Sequence, residues 1–165
     1  MAPALSKPEP ISIGRYQVDG DSQTWKYIDN SELYQDIFQG HTIVGSNDWA
    51  YKHNRLTNPG SSKMTVKFMI PASMIKMNYP DATIILRAAY FGPWNMSPCT
   101  VSLKLNNVQK LNRAPVNGEH KGRTTHNIEC PEIMAAPDQP MSFTLNFDKG
   151  NGVLFLWYFE FLIQP

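Results

Sequence analysis

A repeated period of two constrains this chain more than any other feature. Val101, Leu103 and Leu105 alternate with Thr100, Ser102 and Lys104 until Asn106-Asn107 marks a turn. That spacing puts every apolar side chain on one face of an extended strand and every polar one on the other. Met64 to Ile70 alternates in the same way, with Thr65 and Lys67 on one face, and Ile11 to Tyr16 runs into a turn at Asp19-Gly20. Ala82 to Tyr90 is an apolar run broken by Arg87, and Thr124 to Glu129, Met141 to Phe147 and Val153 to Ile163 complete seven or eight strands. Asp148 to Gly152 reads as a hairpin-type connection between the last two. Only Ser31 to Gln39 departs from the period, with Leu33, Tyr34, Ile37 and Phe38 at three- and four-residue spacing. Asn30 or Ser31 can cap such a segment and Gly40 can end it. The expectation is an all-β chain folded as a two-sheet antiparallel sandwich with at most one short helix.

Composition agrees and excludes whole classes of function. The 165 residues are 42% hydrophobic, 12% aromatic and 18% charged, against about 25% charged in an average soluble domain. Fifteen Lys and Arg balance fourteen Asp and Glu to leave a net charge of +1. No global field draws in nucleic acid or an anionic membrane. With 13 Pro, 10 Gly and a mean hydropathy of −0.36, neither a helical bundle nor a membrane insertion is expected. Residues 1–10, with Pro3, Pro8 and Pro10, read as an extended linker or remnant without a secretory leader's apolar run, ahead of one domain over 11–165. Cys99 and Cys130 permit one bridge, and two buried free thiols account for them equally well. The four histidines, His41, His53, His120 and His126, lack a compact zinc-ligand spacing.

The order of these elements resembles a known family. Ile13-Gly14-Arg15-Tyr16 with Asp19-Gly20, then Met64 to Phe68, Ala82 to Arg87 and Thr100 to Asn106 are similar to the C-terminal domain of rhamnogalacturonan lyases. Gly122-Arg123, the strand to Cys130, Met141 to Leu145 and the closing Gly152 to Glu160 extend the likeness over Ile11 to Ile163. The resemblance implies a galactose-binding-like jelly roll of the kind used by carbohydrate-binding modules, an extracellular setting, and binding without the lyase's catalytic domain. It also implies a structural calcium near the last strand, for which Glu160, Asp19 and Asp21 are the candidate ligands. An ion pair with Arg87, or an exposed Glu160, is the competing account, because a carboxylate in an apolar run needs a partner when buried.

No phosphate loop, Gly-x-Ser-x-Gly elbow or His-Glu-x-x-His helix is present, and the acids sit mostly in turns. Catalysis by Lys52, His53 and Tyr51 is conceivable chemistry, but the residues favour binding. The densest polar and aromatic segment holds Asp48, Trp49, Tyr51, His53, Asn54 and Arg55. A sugar presents a C–H face to a ring and in-plane hydroxyls to donors and acceptors, which is the mixture this segment offers. Trp49 and Tyr51 could equally alternate into the core. Tyr90 to Asn95 reads as a ring-rich loop in which Trp94 is a contact ring or a loop anchor. Arg113 and Arg123, in polar segments, suit an acidic sugar, or belong to solvated basic loops. Phe143, Phe147, Phe155, Trp157 and Phe161 are assigned to the core, which leaves Trp49, Tyr51, Tyr90 and Trp94 as the rings free for function. The expected partner is a plant or microbial polysaccharide, and the alternative is a structural or protein-interaction sandwich.

Overall fold

The computed structural model describes residues 8–18, 25–29, 34–44, 55–56, 61–94, 98–116, 123–135, 138–150 and 152–165. They form strands β1 (Ile11–Val18), β2 (Trp25–Asp29), β3 (Phe38–Val44), β4 (Arg55–Leu56), β5 (Ser61–Phe68), β6 (Thr83–Trp94), β7 (Cys99–Leu105), β8 (Val108–Val116), β9 (Arg123–Glu129), β10 (Met141–Asp148) and β11 (Val153–Gln164). Two short helices, α1 (Ala72–Asn78) and α2 (Pro131–Ala135), join strands. The first sheet runs β2-β1-β11-β6-β9, with β4 against the start of β11, and the second runs β3-β5-β10-β7-β8; every pairing is antiparallel. The chain is the two-sheet antiparallel sandwich that the period of two predicts and of the jelly-roll type that the resemblance implies, with eleven strands among the described residues where seven or eight were expected and two short helices where at most one was.

Alternation determines what fills the middle. Met64, Val66 and Phe68 of β5, Phe143, Leu145 and Phe147 of β10, and Val101, Leu103 and Leu105 of β7 are all buried, while Lys63, Lys67, Lys104 and Asn146 between them are exposed. Opposite stand Leu154, Leu156, Phe159, Phe161 and Ile163 of β11 and Ile84, Leu86, Ala88 and Tyr90 of β6. Phe161 is the meeting point: its ring centroid lies 5.1 Å from Phe38, 4.6 Å from Phe68 and 6.1 Å from Phe143. At the edge, the Tyr16 hydroxyl lies 2.7 Å from His41 Nδ1, tying β1 to β3 across the sheets. Gly14 lies at a β1 bulge where a Cβ would stand 2.8 Å from the Tyr27 hydroxyl, so any larger residue requires the Tyr27 ring to shift.

Three sequence expectations are corrected. Ser31 to Gln39 is not a helix over its described part: Asp36 has φ of +54°, left-handed backbone that a right-handed helix excludes, and Phe38 opens β3. Tyr34, Ile37 and Phe38 are buried as the spacing requires, and Gly40 serves a strand bulge at φ +118° instead of ending a helix. Asp148 to Gly152 turns through Gly150 at φ +54°, but it carries the chain from the second sheet to the first and makes no hairpin. Tyr90 to Trp94 is not a loop, because β6 continues to Trp94, whose backbone pairs with Val153.

The helices α1 and α2 lie at one end of the sandwich, where Ser73 of α1 donates from its backbone N and Oγ to Asp138 Oδ1, past the end of α2, at 2.9 and 3.1 Å. At the other end β6 leaves its sheet, β9 begins and β11 starts. No helix among the described residues is long and apolar enough to cross a membrane.

Candidate functional site

The outer face of the first sheet gathers an aromatic and arginine cluster toward the end where β9 begins. In β6 the residues between the core positions, Arg87, Ala89 and Phe91, point outward, as do Arg123, Thr125 and Asn127 of β9. In β11 a register shift between Leu156 and Tyr158 inserts one extra residue. A bulge of this kind re-aims side chains, and here it brings both Trp157 and Tyr158 to the outer face. Phe91 and Trp157 stack with centroids 4.8 Å apart and planes 30° apart, and both are half-buried. Tyr158 meets Trp157 edge-on at 4.9 Å. The Arg123 guanidinium carbon lies 4.9 Å from the Trp157 ring and 5.3 Å from the Phe91 ring, capping the pair, and Arg15 covers Tyr158 at 3.9 Å. Such cation–π contacts fix the orientation of a guanidinium on a partly exposed surface.

A charged row continues from this cluster across the sheet. Glu160 is 4% exposed, and its carboxylate accepts from Ser12 Oγ at 2.7 Å and from Arg87 Nη1 at 3.1 Å, with Arg15 Nε at 3.7 Å. Arg87 Nε also donates to Asn127 Oδ1 at 2.8 Å. The ion pair expected between Arg87 and Glu160 is present, and Arg15 joins it. The neighbours of Glu160 are thus two cations and a hydroxyl. Among the described residues no group of three or more His, Cys, Asp or Glu could hold a metal ion, and Asp19 and Asp21 lie outside them.

Behind this face, Tyr90 is fully buried, which corrects its assignment to the rings free for function. It packs edge-on against Phe147 at 5.6 Å, and its hydroxyl bonds to His126 Nδ1. The imidazole is also bonded to the Pro115 backbone carbonyl. Burial holds the His126 pKa below its ordinary value of about 6.5, with the Pro115 bond acting weakly the other way. Below that value the unfolded chain takes up a proton that the folded one resists. Stability is therefore complete above pH 6.5 and lost as pH falls toward the depressed folded value. The urea midpoint of the wild type should decline between pH 7 and pH 5, and that of His126→Gln should decline less. Equal slopes would remove His126 as the cause.

Cys99 and Cys130 are both buried and free, and no bridge joins them. Burial pushes each thiol up to about 12. Neither is a thiolate at neutral pH.

Of the residues expected to bind, Asp48, Trp49, Tyr51, His53 and Asn54 lie outside the described residues. Backbone pairing places Arg55 opposite Phe155 and Trp94 opposite Val153, both at the end where Arg123 pairs with Phe91. Arg113 is separate: it sits on β8 at the edge of the second sheet, exposed, at φ +48° beside a register shift. Phe155 and Trp157, assigned to the core, are half-buried outer-face residues, since the inward positions of β11 are Leu154, Leu156 and Phe159. Arg15, Phe91, Trp157 and Tyr158 were missed as site residues. The one available signal was that apolar side chains occupy both parities between Val153 and Ile163, which a strand solvated on one face does not need.

No protein-family model matches the chain, and no curated protein matches it. Among solved structures, it is similar to a family 35 carbohydrate-binding module from an environmental isolate, at 14% identity and TM-score 0.45, over 77% of this chain and 88% of that one. The family 36 module in complex with calcium and xylotriose is 14% identical at TM-score 0.44, over 77% and 93% of the two chains. TmCBM27, a carbohydrate-binding module described by its specific mannan recognition, is 11% identical at TM-score 0.46, over 96% and 99%. The two-sheet fold stands on the strand pairings of the chain itself.

Proposed function

We propose that this chain is a noncatalytic carbohydrate-binding β-sandwich that presents the outer face of its first sheet to a polysaccharide. The observation that carries this reading is the half-buried Phe91–Trp157 pair with Arg123 at its edge and Tyr158 beside it. Rings on an open sheet face supply apolar area to the C–H face of a sugar, and guanidinium N–H groups supply in-plane donors to its hydroxyls. The rhamnogalacturonan lyase resemblance, which rests on strand and turn pattern alone, is consistent with a binding role.

Trp157→Ala tests the reading directly, because its side chain is only half-buried and its loss leaves the inner core intact. Isothermal titration against soluble plant and microbial polysaccharides, with and without added calcium, should give wild-type binding that the variant weakens roughly tenfold, in line with about 1.4 kcal/mol for one ring. Wild-type protein that binds none of these glycans at millimolar concentration would overturn it. A calcium-independent affinity would separate binding from the calcium that the resemblance implies.

A further inference from the structure

We infer that this face selects glycans that carry an anionic substituent, a carboxylate or a sulfate ester, and that Arg123 is the residue that selects them. The inference rests on the carbohydrate-binding reading and names its ligand class.

Among the side chains described on the outer face are three guanidinium groups, and they are not equivalent. Arg15 and Arg87 are both committed to Glu160. Arg123 is exposed at the start of β9, and among the described residues its guanidinium has ring contacts but no carboxylate or hydrogen-bond acceptor. On the described part of this face the cations Lys26, Arg15, Arg87 and Arg123 outnumber the carboxylates Glu160 and Glu129 by two. The other carboxylate with the outward parity of β9 is Glu129, six residues from Arg123 and opposite Ile85. At about 3.3 Å per residue it lies roughly 20 Å away, beyond the screening length of about 8 Å at physiological salt. The chain has a net charge of +1, yet this patch has a local field of its own.

Geometry makes that field selective. A guanidinium offers a planar fork of N–H donors that matches two oxygens of a carboxylate or sulfate, which an ammonium or an amide does not. Stacking on Phe91 and Trp157 holds the Arg123 side chain near one orientation before any ligand arrives, so less freedom is lost on binding. A sugar seated on the exposed parts of the two rings would bring an anionic group on its rim beside this fork. A neutral sugar at the same place would meet a cation whose hydration it must displace without compensating charge.

The test is isothermal titration of the full chain with oligogalacturonate, a sulfated galactan oligosaccharide and a neutral galactan oligosaccharide of matched length, at 20 mM and 200 mM salt. Wild type should bind at least one anionic probe at least tenfold more tightly than the neutral one at low salt, with the preference shrinking at high salt. Arg123→Gln should bring the ratio of anionic to neutral affinity close to one, and Arg123→Lys should leave an intermediate ratio. Matched melting curves exclude unfolding as the cause. Binding of the uronate alone, of the sulfated probe alone, or of both supports the inference and identifies the anion. Equal wild-type affinities for neutral and anionic probes, or a preference that survives in Arg123→Gln, would overturn the inference and leave carbohydrate binding standing. If no probe binds, carbohydrate binding itself fails, and the inference with it.

Discussion

Replacing Phe161 by alanine should lower the unfolding free energy by about 4 kcal/mol, the upper part of the range for large-to-small changes in a closed core. Its ring is fully buried and touches Phe38, Phe68 and Phe143, which come from three strands of the opposite sheet. Removing it deletes the apolar area and also leaves a cavity between two hydrogen-bonded sheets. Their spacing cannot collapse, because each is braced by its own ladder. Phe155→Ala in the same strand is the internal control: its side chain is half-buried on the outer face, less apolar area is lost, and its cost should be under half as large. Urea titrations of both variants at pH 7 decide the matter. Similar losses for the two would show that the inward and outward assignments along β11 are wrong.

Glu160→Gln is expected to cost about 2 kcal/mol. That lies between the 1 kcal/mol or less of an exposed pair and the 3–5 kcal/mol lost when one partner of a fully buried pair is removed. The intermediate value follows from asymmetric burial. The Glu160 side chain is 6% exposed, whereas Arg15 and Arg87 are 32% and 30% exposed, so water screens the cations once the carboxylate is gone. The amide keeps the volume and can still meet Ser12, which isolates the loss of charge. A double-mutant cycle with Arg87→Gln should return a coupling of about 1 kcal/mol that weakens in 1 M salt. A Glu160→Gln loss below 0.5 kcal/mol, as an order of magnitude, would mean the pairing is ornamental to stability.

Strands with one solvated face were legible in the sequence because alternation there reports burial directly: β7, β10 and the start of β1 sit where the period of two puts them. Four strands were not, β2, β3, β4 and β8, and for two of them the reason is local. β3 opens on Phe38 just after Tyr34 and Ile37, whose burial at short spacing imitates a helix face, and only the backbone at Asp36 betrays the difference. β8 carries Pro115 and a left-handed Arg113, which local rules assign to a loop, and its strand conformation comes from pairing with β7. The helices α1 and α2 are of seven and five residues, too short to show a period. For the site, Arg123 was named from its chemistry, but its ring partners were not. Phe91 and Trp157 meet it only through the registers of β9 with β6 and of β6 with β11. Those are long-range facts, and the bulge beside Trp157 breaks the parity rule that would have located it.

The place of β11 in its sheet has a kinetic meaning. It is the last strand in sequence but lies between β1 and β6, and Ile11 pairs with Ile163. Until β11 arrives, β1 and β6 have no shared neighbour and the inner surface of the second sheet lacks its lid. Nearly every contact that closes the sandwich is therefore distant along the chain, which places folding on the slow, millisecond-to-second side of the topological range. During synthesis, the strands before β11 would wait with apolar faces uncovered, and this topology leaves the nascent form open to aggregation until β11 is in place.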